Sequence, residues 1–405
     1  MYKRKTNYNF RKINLKNLIV TTILLFIMFQ IIKDPKQSIL SAGEGLNLWF
    51  NLLLPSLFPF IFISDLLISF GFIDFISKYL EPIMKPVFNV SGIGIFPFSM
   101  SMLSGYPVGA RLTSKIRELN LITQDEGNRL ISFSSTSGPL FILGTVLIGM
   151  VGAPKLSSLM IIPHYLSALT IGILFRNYRK NSKNTLGNIS SSKTNSNAFI
   201  SKKNNKSLGS IISGSIKDSM DSIIVIGGFL IIYSVIIDIV LSSALFNFII
   251  SGISAAFSIE INTLKGIAAG IIELTKGCSL VSKLDIDIII KILLLNFLIG
   301  WGGLSIHSQA ISFISRTDIS TKIYLISKFL HGLLSALYTY AIYILFYKGQ
   351  IETTFNPKSL INNPSINSWL YLITSSTKLV VSLIVFLSIL SILLYQIRKE
   401  LSRSL

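Results

Sequence analysis

The chain has 405 residues, of which 50% are hydrophobic and only 14% are charged, and its 37 basic and 18 acidic residues give a net charge of +19. A soluble protein of this length exposes far more charge, so the composition excludes a soluble enzyme and indicates a polytopic membrane protein. The single cysteine, Cys278, excludes a disulfide framework and a cysteine-based metal site.

The basic residues are concentrated in three places: before the first apolar run, in a polar loop over residues 176–217, and at the C-terminal end. Nucleic-acid-binding proteins also carry basic runs, but these runs contain few aromatic residues and adjoin apolar segments. The positive-inside rule explains them better, so both termini and the loop are predicted to be cytoplasmic, with no nucleic-acid partner. The loop lacks the apolar residues of a core and is predicted to be a disordered linker, with contact to anionic membrane lipid as the alternative.

The apolar runs predict eight membrane crossings, each close to the roughly 20 residues that a bilayer requires. The first follows a basic stretch but precedes no small-residue cleavage site, so we expect a retained signal-anchor helix. Two further segments, 91–112 and 262–284, are too short and too broken to cross, and are predicted to be re-entrant hairpins. The predicted crossings are 17–32, 45–72, 130–150, 156–175, 219–245, 288–312, 320–346 and 370–395.

The two hairpin segments resemble each other. SMLSGYPVGARL (101–112) aligns with ELTKGCSLVSKL (273–284), which places Gly105 over Gly277, and the flanking residues 128–140 align with 292–304. Residues 52–62 align with 223–233, and both of these helices carry helix-breaking residues. The first copy begins with an inward crossing and the second with an outward one, so the repeats are predicted to be inverted, as in many secondary transporters.

This pattern predicts five regions along the chain. They are a basic N-terminus with an anchor helix (1–44), a first repeat (45–175), the cytoplasmic linker (176–217), a second, inverted repeat (218–346), and an extracytoplasmic loop with the last crossing and a basic tail (347–405).

The two hairpin tips are the first candidates for substrate contact. Broken backbone inside a bilayer needs partners, because each unsatisfied amide or carbonyl costs several kcal/mol there. N–H groups freed at a helix start bind anions, although a tightly packed turn is the alternative explanation. The candidates are Ser104, Gly105, Tyr106 and Pro107 at the first tip and Glu273, Thr275, Lys276, Gly277 and Ser279 at the second.

A serine-rich stretch over residues 132–137 is the second candidate. Five hydroxyl residues in six positions exceed what a helix bend requires, so Ser135, Ser137 and Gly138 are predicted to line a cavity together with Asn296 and Trp301 of the second repeat. His307 is either a proton carrier or a hydrogen-bonded packing residue, whereas His164 and His331 are expected to be structural residues of peripheral crossings. No phosphate-binding loop is present, and neither a metal nor a cofactor is predicted.

Several of these motifs together resemble the YlbJ-type sporulation integral membrane protein family. They are the basic amino end, the pattern from Trp49 to Phe60, SGYPVGA at Ser104–Ala110, EGNRL at Glu126–Leu130 and the Ser-x-Ser-Gly-Pro run at Ser135–Pro139. The family belongs with the gate, or nucleoside-recognition, domains and is similar to concentrative nucleoside transporters. The resemblance implies an all-α polytopic fold with two inverted repeats, each carrying a re-entrant hairpin.

The same resemblance implies a function in spore formation. The protein would lie in the outer forespore (mother-cell) membrane and move dipicolinic acid by alternating access, with a proton or a sodium ion as the coupling ion. Dipicolinate is a small planar dianion. Helix N-termini, hydroxyls and cations suit its carboxylates, and Tyr106 or Trp301 could stack on its ring. The second repeat lacks a proline at 279, where Pro107 would map, so strict symmetry is not expected. A scaffold for cortex or coat assembly, an ungated channel and a nucleoside-type transporter remain the alternatives.

Overall fold

The computed structural model describes residues 15–179 and 207–348, called the first and the second half below, and helices are the only regular secondary structure in these two ranges. Fifteen α-helices lie in these ranges, with π-helical stretches at Trp49–Leu53, Leu140–Val151 and Tyr343–Tyr347. The helices are α1 (Leu15–Lys33), α2 (Pro35–Leu48), α3 (Leu54–Ser69), α4 (Phe72–Phe88), α5 (Ile95–Ser104), α6 (Val108–Glu118), α7 (Gln124–Ile131), α8 (Ser157–Phe175), α9 (Leu208–Ser242), α10 (Ala244–Phe257), α11 (Ile261–Ile272), α12 (Leu274–Ser282), α13 (Ile288–Trp301), α14 (Gly303–Ile314) and α15 (Thr321–Ile342).

Five helical segments in the described ranges are long and apolar enough to cross a membrane, which makes this a multi-pass membrane protein. They coincide with the predicted crossings 45–72, 156–175, 219–245, 288–312 and 320–346. Helix α1 covers the predicted crossing 17–32, although its apolar part is shorter, and the predicted crossing 370–395 lies outside the described residues. The segments are Pro35–Ser69, Pro154–Phe175, Leu208–Ser242, Ile288–Ile314 and Thr321–Tyr347, and the α4–α5 pair, bent by 91°, is a sixth candidate.

Two predicted crossings are interrupted. The predicted crossing over 130–150, expected to be kinked at its serine-rich stretch, is unwound over several residues: α7 ends at Ile131 and the π-helical stretch begins only at Leu140. Pro139 lacks an N–H group, and the Thr136 N–H donates to the Ser101 hydroxyl at 2.8 Å instead of to the preceding turn. The crossing 288–312 is likewise divided into α13 and α14 at Gly302, whose φ of +93° favours glycine.

The start of the second half also differs from the prediction. The last part of the predicted linker is helical, because Ser207 caps α9 by accepting the Ser210 N–H, and α9 continues unbroken to Ser242. Gly227 and Gly228 therefore do not break this helix. A Cβ on Gly227 would lie 2.5 Å from the Trp49 indole nitrogen, which donates to the Ile223 carbonyl at 2.9 Å, so the glycine provides room for the ring. Helices α4 and α10 lie where the sequence predicted only connections.

Both predicted hairpin segments fold back on themselves. Residues 105–107 connect α5 to α6, and Glu273 alone connects α11 to α12. A Cβ on Gly109 of α6 would meet the Ser101 side chain of α5, and a Cβ on Gly277 of α12 would meet the backbone of Gly270 in α11. Small residues therefore let the two arms of each hairpin touch.

The hairpins of both halves belong to one apolar core. Leu112 from the first hairpin and Val281 from the second are fully buried in it, together with Phe133, Leu147 and Leu298. Because burial of these side chains fixes both hairpins against the same core, their tips are held close to one another.

Candidate functional site

A cavity of about 160 Å³ lies between the two hairpin tips. In another protein, a cavity of roughly 150 Å³ with apolar walls binds benzene, so this cavity has room for a single six-membered ring. The polar residues that line it are Ser56, Ser104, Tyr106, Ser137, Thr145, Glu273, Thr275, Ser305 and Gln309, and leucine, isoleucine and phenylalanine side chains supply most of the remaining wall.

The first tip rests on the break between α7 and the π-helical stretch. Gly105 has a φ of +85°, which side chains other than glycine rarely tolerate. A Cβ at this position would also lie 2.8 Å from the backbone nitrogen of Gly138. The Ser104 hydroxyl donates to the Met100 carbonyl at 2.6 Å, so its hydrogen is used within its own helix.

The unwound residues 132–139 are held by neighbouring side chains. The Ser137 N–H donates to His164 Nε2 at 3.1 Å, and the Ser137 carbonyl accepts from the Tyr165 hydroxyl at 3.0 Å. The Thr113 and Ser134 hydroxyls lie 2.8 Å apart. These contacts satisfy backbone groups that the break releases, which explains why an unwound segment persists in an apolar surrounding.

The second tip differs from the prediction of a free anion site. The Glu273 carboxylate accepts the Thr275 N–H at 3.1 Å and the Lys276 N–H at 2.6 Å, so the protein's own carboxylate occupies the start of α12. The Lys276 ammonium lies 3.3 Å from Asp238 and 3.7 Å from Glu44. Lys276 is thus engaged with α9 and α2, and it does not line the cavity.

The two halves share one arrangement. The first tip lies against Gly138, and the second tip lies against Gly303, so each tip rests on the break of the helix that follows it. In each half, an aspartate late in a long helix also pairs with a cation of the hairpin. Asp65 pairs with Arg111 in the first half, and Asp238 pairs with Lys276 in the second.

The Asp65 carboxylate is the most completely buried charge of these pairs. It is 0% exposed and accepts from two guanidinium nitrogens of Arg111, at 2.9 and 2.6 Å. The Lys115 ammonium lies 2.9 Å from Asp65 and 3.1 Å from Asp218, and Arg111 Nε donates to the Ser222 hydroxyl at 2.7 Å. This network ties the outer arm of the first hairpin to α3 and α9.

A more exposed ion pair connects the first hairpin to the turn before α15. Arg117 donates to both carboxylate oxygens of Asp318, each at 2.8 Å, and the charge-assisted bonds hold the pKa of Asp318 below its ordinary value. Asn128 of α7 also accepts the Ser320 N–H at 2.7 Å. The turn is therefore fixed to the first half on two sides.

Three predicted site residues of the second half lie away from this cavity. The Asn296 amide donates to the Leu159 carbonyl and the Thr339 hydroxyl, at 2.9 and 2.6 Å, which joins α13 to α8 and α15. Trp301 donates to a backbone carbonyl of α11 and packs edge-on against His307, with ring centroids 4.2 Å apart. The structure therefore does not place Asn296 or Trp301 in the cavity wall.

Seven of the fifteen predicted site residues line the cavity: Ser104, Gly105, Tyr106, Ser137, Gly138, Glu273 and Thr275. The other eight, which lie outside its wall, are Pro107, Ser135, Lys276, Gly277, Ser279, Asn296, Trp301 and His307.

Sequence reasoning missed one residue beside the cavity, Lys328 of α15. Its side chain is 1% exposed, and its ammonium nitrogen contacts the Tyr106 hydroxyl at 2.6 Å, the Ser135 carbonyl at 3.1 Å and His331 Nδ1 at 3.0 Å. The same nitrogen lies 4.5 Å from the centre of the Tyr106 ring, a cation–π geometry. A lysine three residues before a histidine in an apolar crossing was the signal that could have found it.

The two histidines predicted to be peripheral belong to the same cluster. His331 Nε2 lies 2.9 Å from the His164 carbonyl oxygen, and the two rings lie 4.5 Å apart. Both side chains are buried, at 2% and 0% exposure. Their position is thus central, between α8, α15 and the unwound residues.

Comparison with known proteins identifies a family and a relative of this chain. The pattern of the Gate family, described as nucleoside recognition, matches residues 50–154, which contain the first hairpin and the unwound stretch. The chain is 32% identical over 340 residues to the "Sporulation integral membrane protein YlbJ" of Bacillus subtilis (strain 168), covering 82% of this chain and 83% of that protein. No solved structure matches the chain. On the strength of that identity and coverage, the chain belongs to the family of YlbJ-type sporulation integral membrane proteins.

Proposed function

We propose that this protein is a secondary transporter that carries dipicolinic acid across the outer forespore membrane during sporulation. The observation that carries the proposal is the cavity between the two hairpin tips, which has room for a single ring. The sporulation context comes from the similarity to the Bacillus subtilis protein and its name.

The way in which the tips rest on the broken helices supports a mechanism of alternating access. Each tip contacts a glycine where a helix is interrupted, so a hairpin can lift without unwinding a regular helix. Movement of one hairpin would open the cavity to one side of the membrane while the other hairpin keeps it closed. The occurrence of the same contact in both halves supports two inverted repeats, each with a re-entrant hairpin.

The charges around the cavity suit an anion only on the side of the first tip. Glu273 is the one carboxylate among the described lining residues, and two backbone N–H groups already offset its charge. Lys328 lies directly behind Tyr106, and it forms no ion pair within the described ranges. Its positive charge is therefore available to an anion that enters beside Tyr106.

A nucleoside is the second candidate substrate, and Glu273 favours it. A carboxylate in a cavity with otherwise neutral polar groups suits sugar hydroxyls, and the Gate family is described as nucleoside recognition. The volume of about 160 Å³ favours the smaller candidate, because a base joined to a ribose would extend beyond this cavity.

The proposal is tested by filling the cavity with one side chain. Ser104 and Ser99 are both half-buried serines of α5, but Ser104 lines the cavity whereas Ser99 lines a separate apolar pocket of about 310 Å³. We expect Ser104→Phe to abolish the flux of labelled dipicolinate into proteoliposomes. Ser99→Phe, the matched control, should retain the flux because its pocket has room for the ring.

The same experiment separates the alternatives. Each variant and the wild type are assayed with labelled dipicolinate and with a labelled nucleoside, with and without a proton or sodium gradient. If the wild type transports the nucleoside and not dipicolinate, the nucleoside is the substrate. A wild-type protein that moves neither compound, or equal dipicolinate flux in both phenylalanine variants, would contradict the proposed transport site.

A further inference from the structure

We propose that Lys328 and His331 together hold one exchangeable proton and that this proton is the coupling ion of the transporter. The coupling role rests on the proposed transport function, whereas the presence of the proton rests only on the hydrogen-bond geometry. A coupling ion needs a site that both states of the protein can load and empty beside the substrate, and this pair adjoins the cavity through Tyr106.

The partners of the pair fix the direction of most hydrogen bonds. The Tyr106 hydroxyl donates its single hydrogen to the Ile299 carbonyl at 3.0 Å, so its oxygen accepts from Lys328. The Ser135 carbonyl can only accept. The amine of Lys328 therefore donates two hydrogens to these two oxygens. His331 Nε2 faces the His164 carbonyl, which also only accepts, so Nε2 carries a hydrogen.

One hydrogen must then lie between Lys328 Nζ and His331 Nδ1, which are 3.0 Å apart. With this hydrogen, the Lys328 amine and the His331 imidazole together hold one proton more than they hold when both are neutral. Without it, two lone pairs would face each other across this distance, His331 would turn its other nitrogen's lone pair towards the His164 carbonyl, or the Tyr106 hydroxyl would leave the Ile299 carbonyl to donate to Lys328. The observed arrangement thus carries one positive charge, and loss of the proton breaks a hydrogen bond.

The titratable groups around the pair are tyrosine and histidine side chains. Tyr106 faces it from the first tip, His164 and Tyr165 from α8, His307 from α14 and Tyr324 from α15. None is a carboxylate, and Lys328 forms no ion pair within the described ranges. A buried charge without a counter-ion is costly, so the pair is poised either to release its proton or to gain an anion nearby.

The cavity supplies the place for that anion. Tyr106 both lines the cavity and accepts the hydrogen bond from Lys328, so one side chain separates an anion from the charged pair. Binding of an anion therefore favours the protonated pair, and protonation of the pair favours anion binding by the same factor. The two would load together and leave together, which is symport of a proton with an organic anion.

The test compares exchange with accumulation in proteoliposomes. Exchange of labelled for unlabelled dipicolinate at equal pH measures binding and movement, and accumulation driven by a pH gradient measures coupling. Lys328→Arg keeps a permanent positive charge, because arginine does not release its proton. We expect this variant to lose gradient-driven accumulation by a much larger factor than exchange. Lys322→Met, at an exposed lysine of the same helix, should retain both.

Two further variants and a measurement without substrate keep the test decisive. Lys328→Met and His331→Gln should also abolish accumulation, and the dependence of the exchange KM on pH should disappear with it. The wild type, labelled with nitrogen-15 at lysine and histidine and solubilised in detergent, is titrated with alkali and followed by NMR. At the start, His331 Nδ1 should accept a hydrogen bond. As the pH rises, Lys328 and His331 should lose one proton together.

The failure of the inference differs from the failure of the proposed function. Gradient-driven accumulation that persists in Lys328→Arg would overturn the coupling role although transport is present. A wild type without dipicolinate flux would overturn the transport function and the coupling role together. In that case the NMR titration still decides on the proton, and a pair that titrates as two independent groups would overturn that part as well.

Discussion

Asp65→Asn is expected to destabilise the protein by about 3 kcal/mol, because it removes the charge that compensates Arg111. Both side chains are almost completely buried, at 0% and 5% exposure, and two hydrogen bonds of 2.9 and 2.6 Å join them. Removal of one partner from a buried ion pair costs about 3–5 kcal/mol. The lower end applies here, because the partly exposed Lys115 retains Asp218 at 3.1 Å.

The unfolding of this protein can be followed at Cys278, the single cysteine, which is buried in the second hairpin. A thiol-reactive fluorophore reports its exposure during a thermal ramp in detergent, and the melting temperature of Asp65→Asn should fall by several degrees. Asp221→Asn is the matched control, because Asp221 is an exposed carboxylate that lines the polar pocket beside Arg111. Equal melting temperatures for the two variants would refute the reasoning.

Three other substitutions test separate parts of the structure. Gly227→Ala should destabilise the protein by about 1–3 kcal/mol, because the new methyl group displaces the Trp49 indole ring. Gly228→Ala, with open space around it, should stabilise the helix by up to about 1 kcal/mol. A Gly227→Ala variant that unfolds at the same temperature as Gly228→Ala, or at a higher one, would contradict this packing. Gly277→Ala should prevent closure of the second hairpin and deplete folded protein on size-exclusion chromatography, while Gly252→Ala should not. Glu273→Gln should lower the KM for dipicolinate exchange, because it removes the repulsion from a carboxylate in the cavity wall, and an unchanged or raised KM would contradict the proposed binding of an anion there.

The sequence predicts those features that depend on neighbouring residues. The crossings follow from apolar runs, and the hairpin segments follow from glycine and hydroxyl residues that recur in both halves. The interruption after Ile131 was visible as a serine-rich stretch, but its length could not be read, because a side chain from α5 and one from α8 satisfy its backbone. Local composition does not reveal partners that come from other helices.

Sequence analysis missed Lys328 and misjudged Glu273 for two different reasons: the partners of Lys328 lie far away along the chain, whereas the role of Glu273 depends on the exact start of a helix. Lys328 contacts Tyr106 across 222 positions, and its burial becomes evident only when three elements meet around it. Glu273 was assigned to substrate contact, yet it also caps α12 with its own carboxylate. A helix boundary displaced by one residue is enough to hide such a cap, and boundaries are the least reliable part of a sequence prediction.

The two tips give opposite sides of the cavity different electrostatic character. The first tip lies in front of a cation, Lys328, whereas the second tip carries the carboxylate of Glu273. A dianion bound between them would be attracted at the first tip and repelled at the second, so its affinity depends on how closely the first tip is seated. If the pair of Lys328 and His331 loses its proton while the first hairpin lifts, the attraction disappears and the repulsion remains. In the proposed transporter, release of the anion would then require no further change in the cavity, and the gradients of the proton and the anion would set the direction of net transport.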